Sequence, residues 1–356
     1  MRSCIVLSLL AVIALGQNQS SNIPLCNPFT SFSSPPISEV KISGKAIATI
    51  KTGDFLHPTF SPNGKVLAYS KVLLQGDFEN TEVLLYDLGS RKTSLLLDSK
   101  RAANYGTYKA FVAEMDWKSQ RRLEVLLGDG DVDSTRLIFD PYNRELLREW
   151  HEGFDEPEAQ PMSPAHQSAE QQVLSLFPAF PREVLDNALR STALVIPNQG
   201  IVLQKNYAGH DNNIWFLDFQ NRSIKSLIDL SENFPRAFNG GLSFNSSILI
   251  LLSHEQKSYL FLYRDGNIRG LAEVNSTGFS QLEVKDLSAS KVIFLVRTHA
   301  TYERGDNPLF ILQGEQLFRV KEYTELYDAA VDRTGQRIAY CYWEGDQRHI
   351  VVKELK

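Results

Sequence analysis

This chain has no apolar run long enough to cross a bilayer comfortably as a helix: Cys4–Leu15 is too short, and no later run reaches the length needed. No cluster of Lys and Arg stands out and the formal net charge is −5, which argues against nucleic acid as a partner. None of the seven histidines forms a His-x-His or His-Glu-x-x-His pair, so a zinc site has no sequence support. A Gly-x-Ser-x-Gly segment is absent, and with it the strand-turn-helix nucleophile of α/β-hydrolases. Cysteine is scarce: of three, Cys4 lies in the leader, leaving Cys26 and Cys341. An oxidising compartment would allow these two to bridge the N-terminal tail to the end of the chain. Alternatively Cys341, in the apolar run Ile338–Trp343, is a small core residue.

With 22% charged and 43% hydrophobic residues, the chain is too apolar to be disordered, and 356 residues allow a large core. Its first sixteen residues read as a secretory signal peptide. Arg2 gives the basic start, Cys4–Leu15 the apolar stretch, and Ala14 and Gly16 the small residues before a cut ahead of Gln17. The mature protein is then expected to be periplasmic or secreted, with no transmembrane segment. Residues 17–38, rich in Ser, Asn and Pro, read as a flexible lead-in. Four Asn-x-Ser/Thr triplets begin at Asn18, Asn221, Asn245 and Asn275, and count only in a eukaryotic secretory pathway.

The dominant pattern is a repeat. Ser61-Pro62-Asn63-Gly64-Lys65-Val66-Leu67-Ala68-Tyr69 and Asp332-Arg333-Thr334-Gly335-Gln336-Arg337-Ile338-Ala339-Tyr340 each put a tight turn before an apolar strand ending in Ala-Tyr. Weaker copies centre on Gln120, Gly200, Ser246 and Ser290, each followed by two or three short apolar runs. An internal period of roughly 40–50 residues with several short strands per unit indicates a β-propeller. The expected fold is all-β: a six-bladed β-propeller over residues 39–356. The last copy runs out of chain after His349–Val352, while Lys45–Ile50 is a spare strand before the first, so the propeller is expected to be closed by this N-terminal strand completing the last blade. The interval from Gln120 to Gly200 is longer and holds an insertion at about 152–191. Its first part, GFDEPEAQPMSPAHQ, reads as a mobile loop. Pro181 with Glu183 marks a helix start in its second part.

The stretch His57-Pro58-Thr59-Phe60-Ser61-Pro62-Asn63-Gly64-Lys65, followed by an apolar strand and Tyr86-Asp87-Leu88, resembles the TolB-like propeller repeat. Asp116-Trp117 and Asp332–Gly335 resemble weaker copies. The resemblance covers about residues 53–355 and implies a periplasmic six-bladed propeller of the kind that binds an envelope lipoprotein. The N-terminal α/β domain of full TolB proteins is not expected here, with only about two dozen residues between leader and first strand. The repeat also heads dipeptidyl-peptidase-type enzymes, which need a hydrolase domain. Some TolB-like propellers cleave polysaccharides with a channel-bound metal.

Candidate chemistry is thin. Asp129, Asp131 and Asp133 alternate and could converge on Ca²⁺, the one cofactor suggested. Ser134 and Asp140 stand where an EF-hand wants Gly and Glu, so the segment equally reads as a hairpin turn. His57 either lines a ligand mouth or packs against a neighbouring blade. Tyr105, Tyr108, Trp117, Phe177, Phe180 and Tyr207 fall near blade starts or in the insertion, where aromatics could serve as contact points or fill blade interfaces. Arg304 and Asp306 read as a solvated loop pair. The residues expected to meet a partner are His57, Tyr108, Tyr207 and Phe177. Two functions stay open: a monomeric scaffold binding an envelope or extracellular protein or peptide, or a polysaccharide-processing enzyme with a metal in the channel.

Overall fold

A computed structural model describes residues 36–355, apart from 43, 52, 76–77, 106–109, 129–133, 153–162, 192, 205–212, 229, 231–237, 278–279, 289, 299–303 and 322–324. The described chain is all-β with a few short helices. Two N-terminal strands, β1 (Ser38–Val40) and β2 (Ala46–Ile50), are followed by β3 (Asp54–Phe60), β4 (Val66–Gln75), β5 (Phe78–Asp87) and β6 (Lys92–Leu97), which form a sheet in sequence order. A short helix α1 (Ser99–Ala102) leads to a second sheet of β7 (Phe111–Ser119), β8 (Arg122–Gly128), β9 (Ser134–Asp140) and β10 (Glu145–Glu152). Helices α2 (Pro164–Leu176) and α3 (Arg182–Ser191) come next. Two further sheets follow: β11 (Leu194–Ile196), β12 (Gly200–Gln204), β13 (Ile214–Asp218) and β14 (Ser223–Ile228), then β15 (Phe238–Phe244), β16 (Ser247–His254), β17 (Lys257–Arg264) and β18 (Asn267–Asn275). The last strands are β19 (Gln281–Leu287), β20 (Lys291–Arg297), β21 (Leu309–Gln313), β22 (Gln316–Val320), β23 (Leu326–Val331), β24 (Arg337–Glu344) and β25 (Gln347–Glu354).

By contacts the chain divides into two compact units, one of residues 160–282 and one of residues 38–159 with 283–356. In the first unit, the β11–β14 and β15–β18 sheets share a core that includes Val202, Phe216, Phe238 and Ile250. A second core lies under the helices, where Val173, Phe177, Leu185 and Leu189 pack on Ile201, Leu203 and Leu217. Ser163 explains the start of α2: its Oγ accepts the His166 N–H at 3.2 Å, with Pro164 in the first turn. The helix therefore begins inside the segment expected to be a loop; residues 153–162 of that segment lie outside the described residues.

In the other unit both clear repeats close alike. Gly64 N–H donates to Ser61 O and Gly335 N–H to Asp332 O, with φ of 66° and 63°, a region open to glycine at no steric cost. The two turns touch, since Arg337 Nη1 donates to Gly64 O at 2.6 Å. The N-terminal strands serve two sheets. Antiparallel β2 pairs with β25 and completes the β23–β25 sheet, as expected from Lys45–Ile50. Parallel to β22 runs β1, which adds a fifth strand to the β19–β22 sheet and was not expected, since Ser38 had been assigned to the lead-in. Ala48 and Ile50 face a core with Phe55, Tyr69, Tyr327 and Ile350. Cys341 is fully buried there and its thiol donates to Phe55 O at 3.0 Å; Cys26 lies outside the described residues.

The burial of Ile50 beside exposed Thr49 gives a direct check. Ile50→Ala should cost about 2–3 kcal/mol in urea denaturation of the full chain, while Thr49→Ala should stay within about 0.5 kcal/mol. Equal small effects would mean that β2 does not dock on β25.

Candidate functional site

Two places concentrate polar chemistry, one in each unit. The first is a buried charge cluster on the opening strands of three sheets. At His57 the pairing of β3 with β4 is bulged between Leu56 and Thr59, and His57 takes φ 51°, uncommon outside glycine. Its side chain is 13% exposed and its Nδ1 lies 3.9 Å from Asp328 Oδ2 on β23. Asp328, whose side chain is 6% exposed, takes Lys285 Nζ from β19 at 2.7 Å. Lys285 also reaches Glu283 at 2.9 Å, and Arg297, ending β20, holds Glu283 through Nε at 2.5 Å and Nη2 at 3.1 Å. Arg297 stacks over Tyr327. Arg348 also lies over that ring, at 4.9 Å, clamped to Asp54 by two 2.6 Å hydrogen bonds and lying against Trp343 as well.

The charges offset one another, and that fixes their protonation. Burial would push the Lys285 ammonium down, but Asp328 and Glu283 reverse this and hold it above the ordinary lysine value. Burial would likewise raise Asp328; Lys285, Arg297 and His57 outweigh it and keep the carboxyl below the usual range. Glu283 is lowered in the same way, against burial, by Lys285 and Arg297. For His57 burial wins over Asp328, and its pKa is pushed down to about 4. At neutral pH the cluster is therefore a compensated set of ions beside a neutral imidazole, whose Nε2 has no hydrogen-bond partner among the described residues.

The second place is a groove along α2. A cavity of about 470 Å³ is lined by Ser168, Gln171, Gln172, Ser175, Leu176, Asn198, Phe219 and Gln220. The register that creates it is local. The turn Pro197–Gln199 between β11 and β12 and the turn after Asp218 both reach α2, in which Ala169 and Val173 are buried. A smaller cleft of about 70 Å³ adjoins it, sharing Ser168, Gln172, Asn198 and Phe219 and adding Ala165, Ala169, Val195, Ile196 and Pro197.

Of the residues singled out from sequence, His57 sits in the charge cluster, within a strand that sequence reading had not assigned. Phe177 caps α2 at 8% exposure and belongs to the core under the helices, so its ring holds the insertion down and is not presented to a partner. Tyr108, Tyr207, Asp129, Asp131 and Asp133 lie outside the described residues. Among the described residues no group of three or more His, Cys, Asp or Glu side chains is placed to hold a metal ion. Trp117 is a packing residue, 5% exposed, with its indole N–H directed to Thr59 O. Arg304 and Asp306 lie in a loop between β20 and β21, where Arg304 binds Glu325 at 2.7 Å and Asp306 binds Arg319 at 2.6 Å. Sequence reading missed Glu283, Lys285, Arg297 and Asp328. The available signal was single charges set into apolar strands, as in Leu326-Tyr327-Asp328-Ala329-Ala330.

No protein-family model matches the sequence, and no curated protein does. Among solved structures, the β-propeller domain of the Trilobed protease from Pyrococcus furiosus is similar over 84% of this chain and 79% of that one, at 14% identity and a TM-score of 0.32. An uncharacterized protein from Listeria monocytogenes EGD-e is similar over 86% and 92%, at 11% identity and 0.38. The acylaminoacyl peptidase of Pyrococcus horikoshii is similar over 85% of this chain at 13% identity and 0.30. The chain spans 45% of that peptidase's length.

The cluster makes two predictions. Lys285→Met leaves Asp328 buried without its closest partner and should cost about 3–5 kcal/mol at neutral pH, read from urea denaturation. His57 is protonated more readily in the unfolded chain than in the fold, so its contribution is complete above about pH 6.5 and is lost as pH falls toward 4. His57→Asn removes the titration and keeps a residue that accepts positive φ. Between pH 7 and pH 5 the unmodified protein should lose about 2 kcal/mol more than this variant; equal losses would show that folded His57 takes up its proton freely.

Proposed function

We propose that this chain is a six-bladed, TolB-like β-propeller that works outside the cytoplasm, periplasmic or secreted, as a scaffold binding an envelope or extracellular protein or peptide. Six sheets among the described residues, each built on an antiparallel set of strands, support the architecture: five have four strands, one of these completed by β2, and the β19–β22 sheet has β1 as a parallel fifth strand. The leader-like start supports the address. No helix among the described residues is long and apolar enough to cross a membrane.

One observation carries the binding reading. The α2–α3 insertion buries one face on β12 and β13 and leaves an open groove of amide and hydroxyl side chains on another, and insertions held on a rigid sheet are where scaffolds place their contacts. The charge cluster supports a scaffold over a proton-transferring enzyme. Its carboxylates titrate below, its lysine above and its histidine well below neutral pH, whereas a general acid or base works best with a pKa near the operating pH.

Deleting the insertion would be a poor test, because it would strip cover from Ile201, Leu203 and Leu217. Ala179→Arg and Glu183→Arg change exposed positions at the α2–α3 hairpin instead. A partner captured by residues 17–356 from envelope extract of the host should be lost with these variants while the melting temperature holds. Capture unchanged by both substitutions would place the contact elsewhere.

A further inference from the structure

The α2 groove has a composition that selects among ligands. Six of its eight lining residues offer carboxamides or hydroxyls: Gln171, Gln172, Gln220, Asn198, Ser168 and Ser175. No charged side chain lines it, so an anionic or cationic ligand would find no counter-charge there. The familiar ways of holding a peptide are also poorly served. Strand addition needs a free strand edge, a bound helix needs an apolar trough, a Pro-rich segment needs stacked aromatics, and an acidic motif needs Arg; the groove wall is a helix with two turns, and its apolar side chains are Leu176 and Phe219. Carboxamides donate and accept at once, as hydroxyls do, which suits a ligand whose own groups do both at close spacing. Phe219 adds one aromatic ring to this polar lining. The adjoining cleft differs. At about 70 Å³, and edged by Ala165, Ala169, Val195, Ile196 and Pro197, it has room for a methyl-sized group, with Gln172 and Asn198 at its border to meet an amide.

We propose that the groove beside α2 binds a neutral oligosaccharide bearing an acetamido group, with the sugar hydroxyls on the carboxamides of the open groove and the acetamido methyl in the small cleft. The inference rests on the insertion being the contact surface, but not on the partner being a protein.

The test is calorimetric titration of the full mature chain with four probes: chitotetraose, a glycopeptide carrying a chitobiose core, cellotetraose, and an uncharged Gly-Ser-Asn peptide. Chitotetraose should bind, and cellotetraose, which lacks the acetamido group, should bind about tenfold more weakly or not at all. Binding of the glycopeptide as well would assign the site to protein-linked glycans; binding of chitotetraose alone would assign it to free or wall polysaccharide. Gln172→Ala should weaken chitotetraose about tenfold. Ser168→Phe, at an exposed helical position bordering both cavities, should abolish binding with no change in melting temperature. Equal binding of cellotetraose, binding of the peptide alone, unaltered binding by both variants, or no binding of any probe would each overturn the proposal. If protein capture is lost with Ala179→Arg while the glycan still binds, the scaffold reading holds and the groove is a separate subsite. If capture by the unmodified chain is lost with Ala179→Arg and the glycan does not bind, only the ligand class fails; if capture is unchanged by both hairpin substitutions, the insertion is not the contact surface.

Discussion

The constraint on which the larger unit turns is the burial of Asp328. A carboxylate 6% exposed is tolerated only where cations and donors meet it, because an unpaired buried charge costs several kcal/mol. Lys285, Arg297 and His57 come to it from three different strands, so the demand of one side chain fixes the relative placement of β3, β19, β20 and β23. Arg348 and Asp54 extend the same logic across Tyr327, joining β25 to β3. Hydrophobic burial supplies the driving force in this unit, but it is non-directional; the ion cluster supplies geometry.

A second layer of order comes from turns. The Ser61–Gly64 and Asp332–Gly335 turns use the same backbone bonds, yet different side chains support them. Ser61 Oγ accepts the Val66 N–H in one, and Asp332 Oδ1 accepts the Gln336 and Arg337 N–H groups in the other. Conservation of a backbone solution with exchange of the capping side chain is what a diverged repeat retains. The smaller unit spends its sequence differently. It carries a helical hairpin whose cost in ordered residues is offset by burying Val173, Phe177 and Leu185 on β12 and β13.

Much of the architecture was legible in the sequence. Glycine-centred turns announce hairpins, and runs such as Val292–Val296 and Ile248–Leu252 are apolar at every position, as strands buried on both faces must be. The spare strand Lys45–Ile50 could be matched to the sheet lacking one. The opening strands were harder. Bulges at Leu56/Thr59, Phe238/Gly241 and Leu326/Asp328 break the two-residue alternation that identifies a strand. The charge cluster lies on or beside these strands, so it was hidden with them; His57 was noticed only as an isolated residue. Phe177 was expected to meet a partner because nothing in its neighbourhood tells a helix cap from a loop aromatic. The α2 groove depends on two turns meeting a helix, a tertiary event with no local signature.

The pairing of β2 with β25 has a consequence for the birth of the molecule. Asp54 and Arg348, which lock together just beyond that pairing, stand 294 residues apart in sequence. β2 is made before the strands that separate it from β25, and must wait for all of them before its partner appears. Until then the apolar edge bearing Ala48 and Ile50 is uncovered, and the contact that ends the wait is among the most distant the chain makes. Folding of this unit is therefore finished only once β25 has been made.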